Sequence, residues 1–289
     1  MNLPGIVCPD DKALLGSFYG RSVAVRVGNL ARAPGAAADV LGSGNSLHCV
    51  IVETDAPLDA IEAPEHAKGI PLAVIAPSMG KFRSLAPGLA CLRDLDARIY
   101  LPCDNPENIT ALRVLSSVGI HGCAVFGKSP NHWEKLADLM TWAVLGFAPH
   151  ASIEPFETIV SHYNPHSYLH WGMVYFDDPQ RFLHLDELGR VALSRPELEQ
   201  GNFIAGSIFE IGDPPRFPAI KSRALDWQRF FLQNHPCSVC PGWKICLGRF
   251  HSQSAGNQGC SAFFIEMLDV AREYRKIKTP VEERRIWQP

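Results

Sequence analysis

The sequence predicts an α/β protein. Its expected form is a parallel sheet of βα repeats, as an open sheet or a partial (βα) barrel of about five or six strands, followed by a small cysteine-rich α+β domain. Three observations predict this. Five short apolar runs bounded by turn residues begin 26, 24, 26 and 24 residues apart, with helix-length segments between them. The patterning changes near residue 150, where alternation replaces continuous apolar runs. Four of the nine cysteines fall within the 24 residues from Cys237 to Cys260, whereas Cys8, Cys49, Cys91, Cys103 and Cys123 are scattered singly.

The runs are Ser22–Val27, His48–Glu53, Leu72–Ala76, Arg98–Pro102 and Gly122–Phe126, each expected to be a buried strand. Two of the connecting helices are well marked. Asp104 is placed to cap one, with Glu107 three positions on, and Ser129 to cap another that opens with Pro130 and stops at Gly146. Along the second, Trp133, Leu136, Met140 and Val144 recur at helical spacing as a core-facing stripe. These repeats assign residues 1–150 to the first domain and 151–289 to the second.

Ligands of such sheets bind at the carboxyl ends of the strands. The residues there are Gly28, Glu53, Asp55, Ser78, Cys103, Asp104 and Lys128, and no phosphate loop is among them. Glu53 and Asp104 are the candidate acid or base residues, against the commoner cap and loop roles of isolated carboxylates.

Beyond residue 150, Tyr168–Phe176 and Phe182–Leu193 alternate as the arms of an antiparallel hairpin around the turn Asp177-Asp178-Pro179-Gln180, with a further turn at Asp186–Arg190. A helix is expected from about Ser222 to Gln233, and another, amphipathic, from Ser261 to Tyr274. His162, His166 and His170 stand four apart, but Pro165 interrupts any helix that would align them, and surface or strand roles fit better than metal ligation. Cys237, Cys240, Cys246 and Cys260 form C-x2-C-x5-C-x13-C. The close pair can present two thiolates to one metal, and the spacing leaves zinc and an iron–sulfur cluster both open.

The stretches FLHLDELGRVALS, GNFIAGSIFEI and HPCSVCPGWKICLG, with a final cysteine before a helix, resemble the C-terminal SPASM or twitch region of radical S-adenosylmethionine proteins. The resemblance covers roughly residues 155–275, and the βα repeats before it resemble the partial or half barrel of the same superfamily. It implies an auxiliary [4Fe–4S] cluster on Cys237, Cys240, Cys246 and Cys260, with zinc as the alternative. The superfamily's C-x3-C-x2-C motif for the cofactor-cleaving cluster is missing: GNLARAPGAAAD follows the first predicted strand without a cysteine. No S-adenosylmethionine is therefore expected. The implied role is that of a pseudo-radical-SAM protein assisting peptide or protein modification, by holding a substrate or a partner maturation enzyme or by passing electrons. The alternatives are an enzyme that uses the C-terminal cluster directly for redox or acid/base chemistry, and a binding protein with structural zinc.

Charge and composition narrow the partners. Lys plus Arg at 27 against Asp plus Glu at 30 leaves a net charge of −3, so no global basic field points to nucleic acid. The longest mostly apolar stretch, Leu139–Ala148, is half the roughly 20 residues a spanning helix needs, so no membrane partner is expected. MNLPGIVCPDDK lacks the pattern of a secretion signal, which with nine cysteines points to the cytoplasm. In the basic tail, Trp287 with Arg284 and Arg285 is the expected partner-binding element, and self-association is a further reading.

Overall fold

The computed structural model describes residues 3–61, 67–127, 130–167, 169, 171–250 and 259–278. Its first elements are β1 (Gly5–Pro9), α1 (Lys12–Gly16), β2 (Ser22–Val27), α2 (Ala33–Gly42), β3 (Ser46–Glu53), β4 (Leu72–Ile75), α3 (Phe82–Leu85), α4 (Leu89–Asp94) and β5 (Ala97–Pro102). There follow α5 (Pro106–Ser117), β6 (His121–Val125), α6 (Trp133–Leu145), β7 (Ile153–Glu154) and α7 (Phe156–His162). The last are β8 (Phe182–Leu185), β9 (Val191–Ala192), α8 (Arg195–Glu199), α9 (Pro218–Leu225), α10 (Gln228–Leu232), α11 (Trp243–Cys246) and α12 (Gly259–Lys278). No described helix is long and apolar enough to cross a membrane.

The chain divides into two compact units, each made of two stretches: Met1–Leu101 with Gly172–Asp226, and Pro102–Trp171 with Trp227–Pro289. Residues beyond 150 thus contribute to both units.

The first unit is built on a mostly parallel sheet with strand order β5-β4-β3-β2-β1-β8-β9, in which only β8 and β9 run antiparallel. The predicted runs within it are strands, and β1 adds one that the sequence reading did not assign. The two faces of this sheet differ. Register places Ile6, Val25, Val50, Val52, Val74 and Ile99 on one face, where all are buried. The other face carries Arg26, Cys49, Glu53, Arg98, Tyr100 and His184 alongside Val7, Ile51, Ile75 and Phe182. Parallel sheets covered on both sides ordinarily carry Val, Ile and Leu on both, so the polar face is unusual.

The predicted hairpin is not the observed one. Trp171–Tyr175 forms a short 3-10 turn, and Tyr168 lies outside the described residues. The hairpin consists of β8 and β9, joined by the turn that had been expected inside the second arm. Asp186 shapes this turn: its Oδ1 accepts the Leu188 and Arg190 N–H groups at 3.0 and 2.8 Å, its Oδ2 meets Arg190 Nε at 2.7 Å, and Gly189 takes a φ of 75°. All four residues of β8 are buried, as suits a strand inside a parallel sheet, and β8 lies alongside β1 rather than opening a separate antiparallel layer.

In the second unit β6 pairs in parallel with the short β7, and α6 and α7 pack with α12 around Phe126, Trp133, Phe156, Phe250, Phe263 and Phe264. The stripe on α6 faces this core: Trp133, Leu136 and Met140 are buried and Val144 is partly buried. Both predicted caps need correction. Asn105, not Asp104, caps α5, its Oδ1 accepting the Glu107 N–H at 3.0 Å; the extended backbone required of an N-cap falls one residue later than expected. α6 starts at Trp133 after His132, and Ser129 lies outside the described residues. The helix expected over 222–233 is broken into α9 and α10.

Candidate metal centre

The cysteine segment begins where α10 stops. Asn234 turns the chain with a φ of 49°, and the His235 side chain accepts the Cys237 N–H at 3.2 Å, starting a 3-10 turn over Pro236–Val239. The Cys240 N–H then bonds the Cys237 carbonyl at 3.2 Å, and the Trp243 N–H the Cys240 carbonyl at 3.1 Å, so Cys237 and Cys240 sit on successive tight turns that lead into α11. Cys246 ends α11. Leu247 and Gly248, at φ 49° and 77°, reverse the chain after it, and a Cβ at Gly248 would stand 2.3 Å from the Phe230 ring. A Cβ at Gly242 would likewise meet Phe264 of α12 at 2.3 Å, so this glycine lets α12 approach the cysteine turn. Phe230, Cys237 and Trp243 form a buried cluster, against which Trp227, Cys240 and Leu247 pack.

Cys260 comes from the first turn of α12, where helix amides favour a thiolate. Its neighbour Ser261 places Oγ 3.6 Å from Cys240 Sγ, which ties α12 to the close pair. The thiols sense one another. Burial, and then the charges of Cys240, Cys237 and Cys260, push Cys246 up to about 12, against a hydrogen bond from the Gly248 backbone. Burial, then Cys237 and Cys240, likewise raise Cys260, against backbone hydrogen bonds from Ser261 and from Cys260 itself. All four are free thiols. Among the described residues no group of three or more His, Cys, Asp or Glu side chains is arranged as a metal ligand shell. Four protonated thiols gain nothing by converging, and four thiolates converge only around a cation. The donor chemistry suits a thiophilic metal: soft sulfur ligands, backbone N–H groups directed at two of them, and an aromatic wall.

The remaining candidates separate. Glu53, at the end of β3, meets Arg195 Nη2 at 3.0 Å, while Arg195 Nε holds Glu199 at 2.7 Å. Burial and Glu199 push the Glu53 carboxyl up to about 7 despite that contact. Asp104 belongs to the other unit, exposed, with its carboxylate against Gly127, where a Cβ would stand 2.3 Å from Oδ2. His162, bonded through Nδ1 to the Thr158 carbonyl at 2.9 Å, and His166 are both exposed; His170 lies outside the described residues. So do Arg284, Arg285 and Trp287. Sequence reasoning missed Arg195, which reaches Glu53 from α8, and Arg26 and His184, which strand register places on the same sheet face as Glu53. In comparison with known proteins, no family model matches the chain and no curated protein matches it.

Proposed function

We propose that Cys237, Cys240, Cys246 and Cys260 hold one metal centre, a [4Fe–4S] cluster, in a protein that assists peptide or protein modification without cleaving S-adenosylmethionine. One observation carries this reading: cysteines from two turns, α11 and α12, lie close enough for Cys246 to feel the charge of Cys237, Cys240 and Cys260, and for Cys260 to feel that of Cys237 and Cys240. A bound cluster supplies one-electron transfer at a potential tuned by burial and by hydrogen bonds to sulfur. The chain's part is to shield the centre with Trp243 and Phe230 and to direct the Gly248 and Ser261 amides at sulfur. The sequence resemblance to SPASM or twitch regions supports the cluster over zinc, and the assisting role rests on that resemblance alone.

Anaerobic purification followed by iron, sulfide and zinc analysis tests the proposal. It expects about four iron and four sulfide per chain with an absorbance band near about 400 nm. Zinc alone would replace the cluster with a structural site. Full metal content in a Cys246→Ala, Cys260→Ala double variant would exclude these residues as ligands.

A further inference from the structure

Two serines stand beside the clustered cysteines, and their hydroxyls go to different partners. Ser238, between Cys237 and Cys240, donates from Oγ to the His235 carbonyl at 2.7 Å and braces the turn that carries the close pair. Ser261, next to Cys260 on α12, instead has its Oγ 3.6 Å from Cys240 Sγ, a hydrogen-bonding distance for sulfur. The backbone N–H of the same residue is directed at the Cys260 thiol. Ser261 therefore serves two of the four sulfurs, one in the close pair and one on α12. All of these residues belong to one compact unit.

Chemistry decides the direction of the contact with Cys240. Between a hydroxyl and a protonated thiol either group can donate, but a thiolate has no hydrogen and only accepts. When Cys240 ligates a metal, Ser261 must be the donor. Hydrogen bonds to an ionised acceptor are stronger than neutral ones, and they strengthen as negative charge accumulates on the acceptor. Reduction of an iron–sulfur cluster places part of the added electron on its thiolates, so a donor to sulfur favours the reduced form and raises the potential. The Gly248 and Ser261 amides are backbone donors that survive substitution. The Ser261 hydroxyl can be removed by changing one side chain.

We infer that Ser261 is a positioning residue that sets the reduction potential of the centre, its hydroxyl donating to the Cys240 thiolate. This rests on the reading of Cys237, Cys240, Cys246 and Cys260 as the ligands of a [4Fe–4S] cluster, and adds to it which side chain tunes the electron that the cluster carries.

Spectroelectrochemical titration of the full chain, purified anaerobically and assayed for iron and sulfide, tests the assignment. Ser261→Ala is expected to keep the wild-type iron and sulfide content and to be harder to reduce by roughly three- to tenfold in the equilibrium constant, a shift of about 28 to 59 mV to more negative potential for a one-electron couple. Ser261→Thr keeps a hydroxyl and should stay near the wild-type potential. Ser238→Ala removes a hydroxyl that serves a carbonyl, and should leave the potential unchanged. If Ser261→Ala does not load, Ser261→Val against Ser261→Thr decides, because the two side chains share a shape and differ in the hydroxyl. Loading of Ser261→Thr alone would show that the site needs the donor to Cys240. A wild type without iron overturns the cluster reading and this assignment with it. The assignment alone is overturned if a loaded Ser261→Ala or Ser261→Val keeps the wild-type potential, if Ser238→Ala shifts it equally, or if Ser261→Thr loses the cluster as well.

Discussion

Glu53 shows how one residue's surroundings change its chemistry. A carboxyl that ordinarily loses its proton near 4.5 is pushed to about 7 by burial and by Glu199. Between those values the folded protein retains a proton that the unfolded chain has released. The contribution to stability is therefore complete below about pH 4.5 and is lost as pH rises through 7. A side chain 33% exposed is partly screened, so the loss is about 1 kcal/mol rather than the full value of the shift. Urea unfolding of the wild type and Glu53→Gln across this range should show the wild type losing stability relative to the variant as pH rises. Parallel pH profiles would mean that Glu53 titrates normally. The same burial makes Cys8, Cys49 and Cys103 poor nucleophiles, each pushed up to about 12, so these thiols serve packing.

At the scale of elements, the start of α5 separates two adjacent residues that the sequence made equally attractive. Asn105 takes the extended backbone of an N-cap, with a φ of −92° and ψ of 117°, and Pro106 occupies the first helical position. Replacing Asn105 by Ala removes the acceptor of the Glu107 N–H and should cost about 1 kcal/mol. Asp104→Ala should cost markedly less, because Asp104 accepts no helix amide among the described contacts. Thermal unfolding of the two variants gives the order directly; an equal or larger loss from Asp104→Ala would return the cap to it. The turn Asp186–Arg190 teaches the same lesson. A compact Asx-type turn with a glycine at positive φ closes β8 to β9, while the more conspicuous run at Asp177–Gln180 only leads into β8.

Across the whole molecule, the cysteines divide into one cluster and five isolated thiols. None of Cys8, Cys49, Cys91, Cys103 and Cys123 lies within three residues of another, so no single loop supplies three thiolates for a cofactor-cleaving cluster. Anaerobic, reduced protein incubated with S-adenosylmethionine should therefore release no 5′-deoxyadenosine. Its detection would show that a catalytic cluster is assembled from distant strands and would overturn the assisting role proposed above. The net charge of −3 makes the charge on the sheet face local: Arg26 and Arg98 stand out against a near-neutral chain.

Continuous apolar runs at near-constant spacing were enough to locate the strands from Ser22 to Val125 and to assign the α/β class, because burial on both faces leaves a signature within each segment. The stripe on α6 and the cysteine spacing were legible for the same reason, since each is a pattern of near neighbours. The pairing of β1 with β8, the division of residues beyond 150 between two units and the contact of Arg195 with Glu53 were decided by the tertiary fold. Those contacts join residues far apart in the chain. Their register is set by which strand lies alongside which, and no local periodicity encodes that choice.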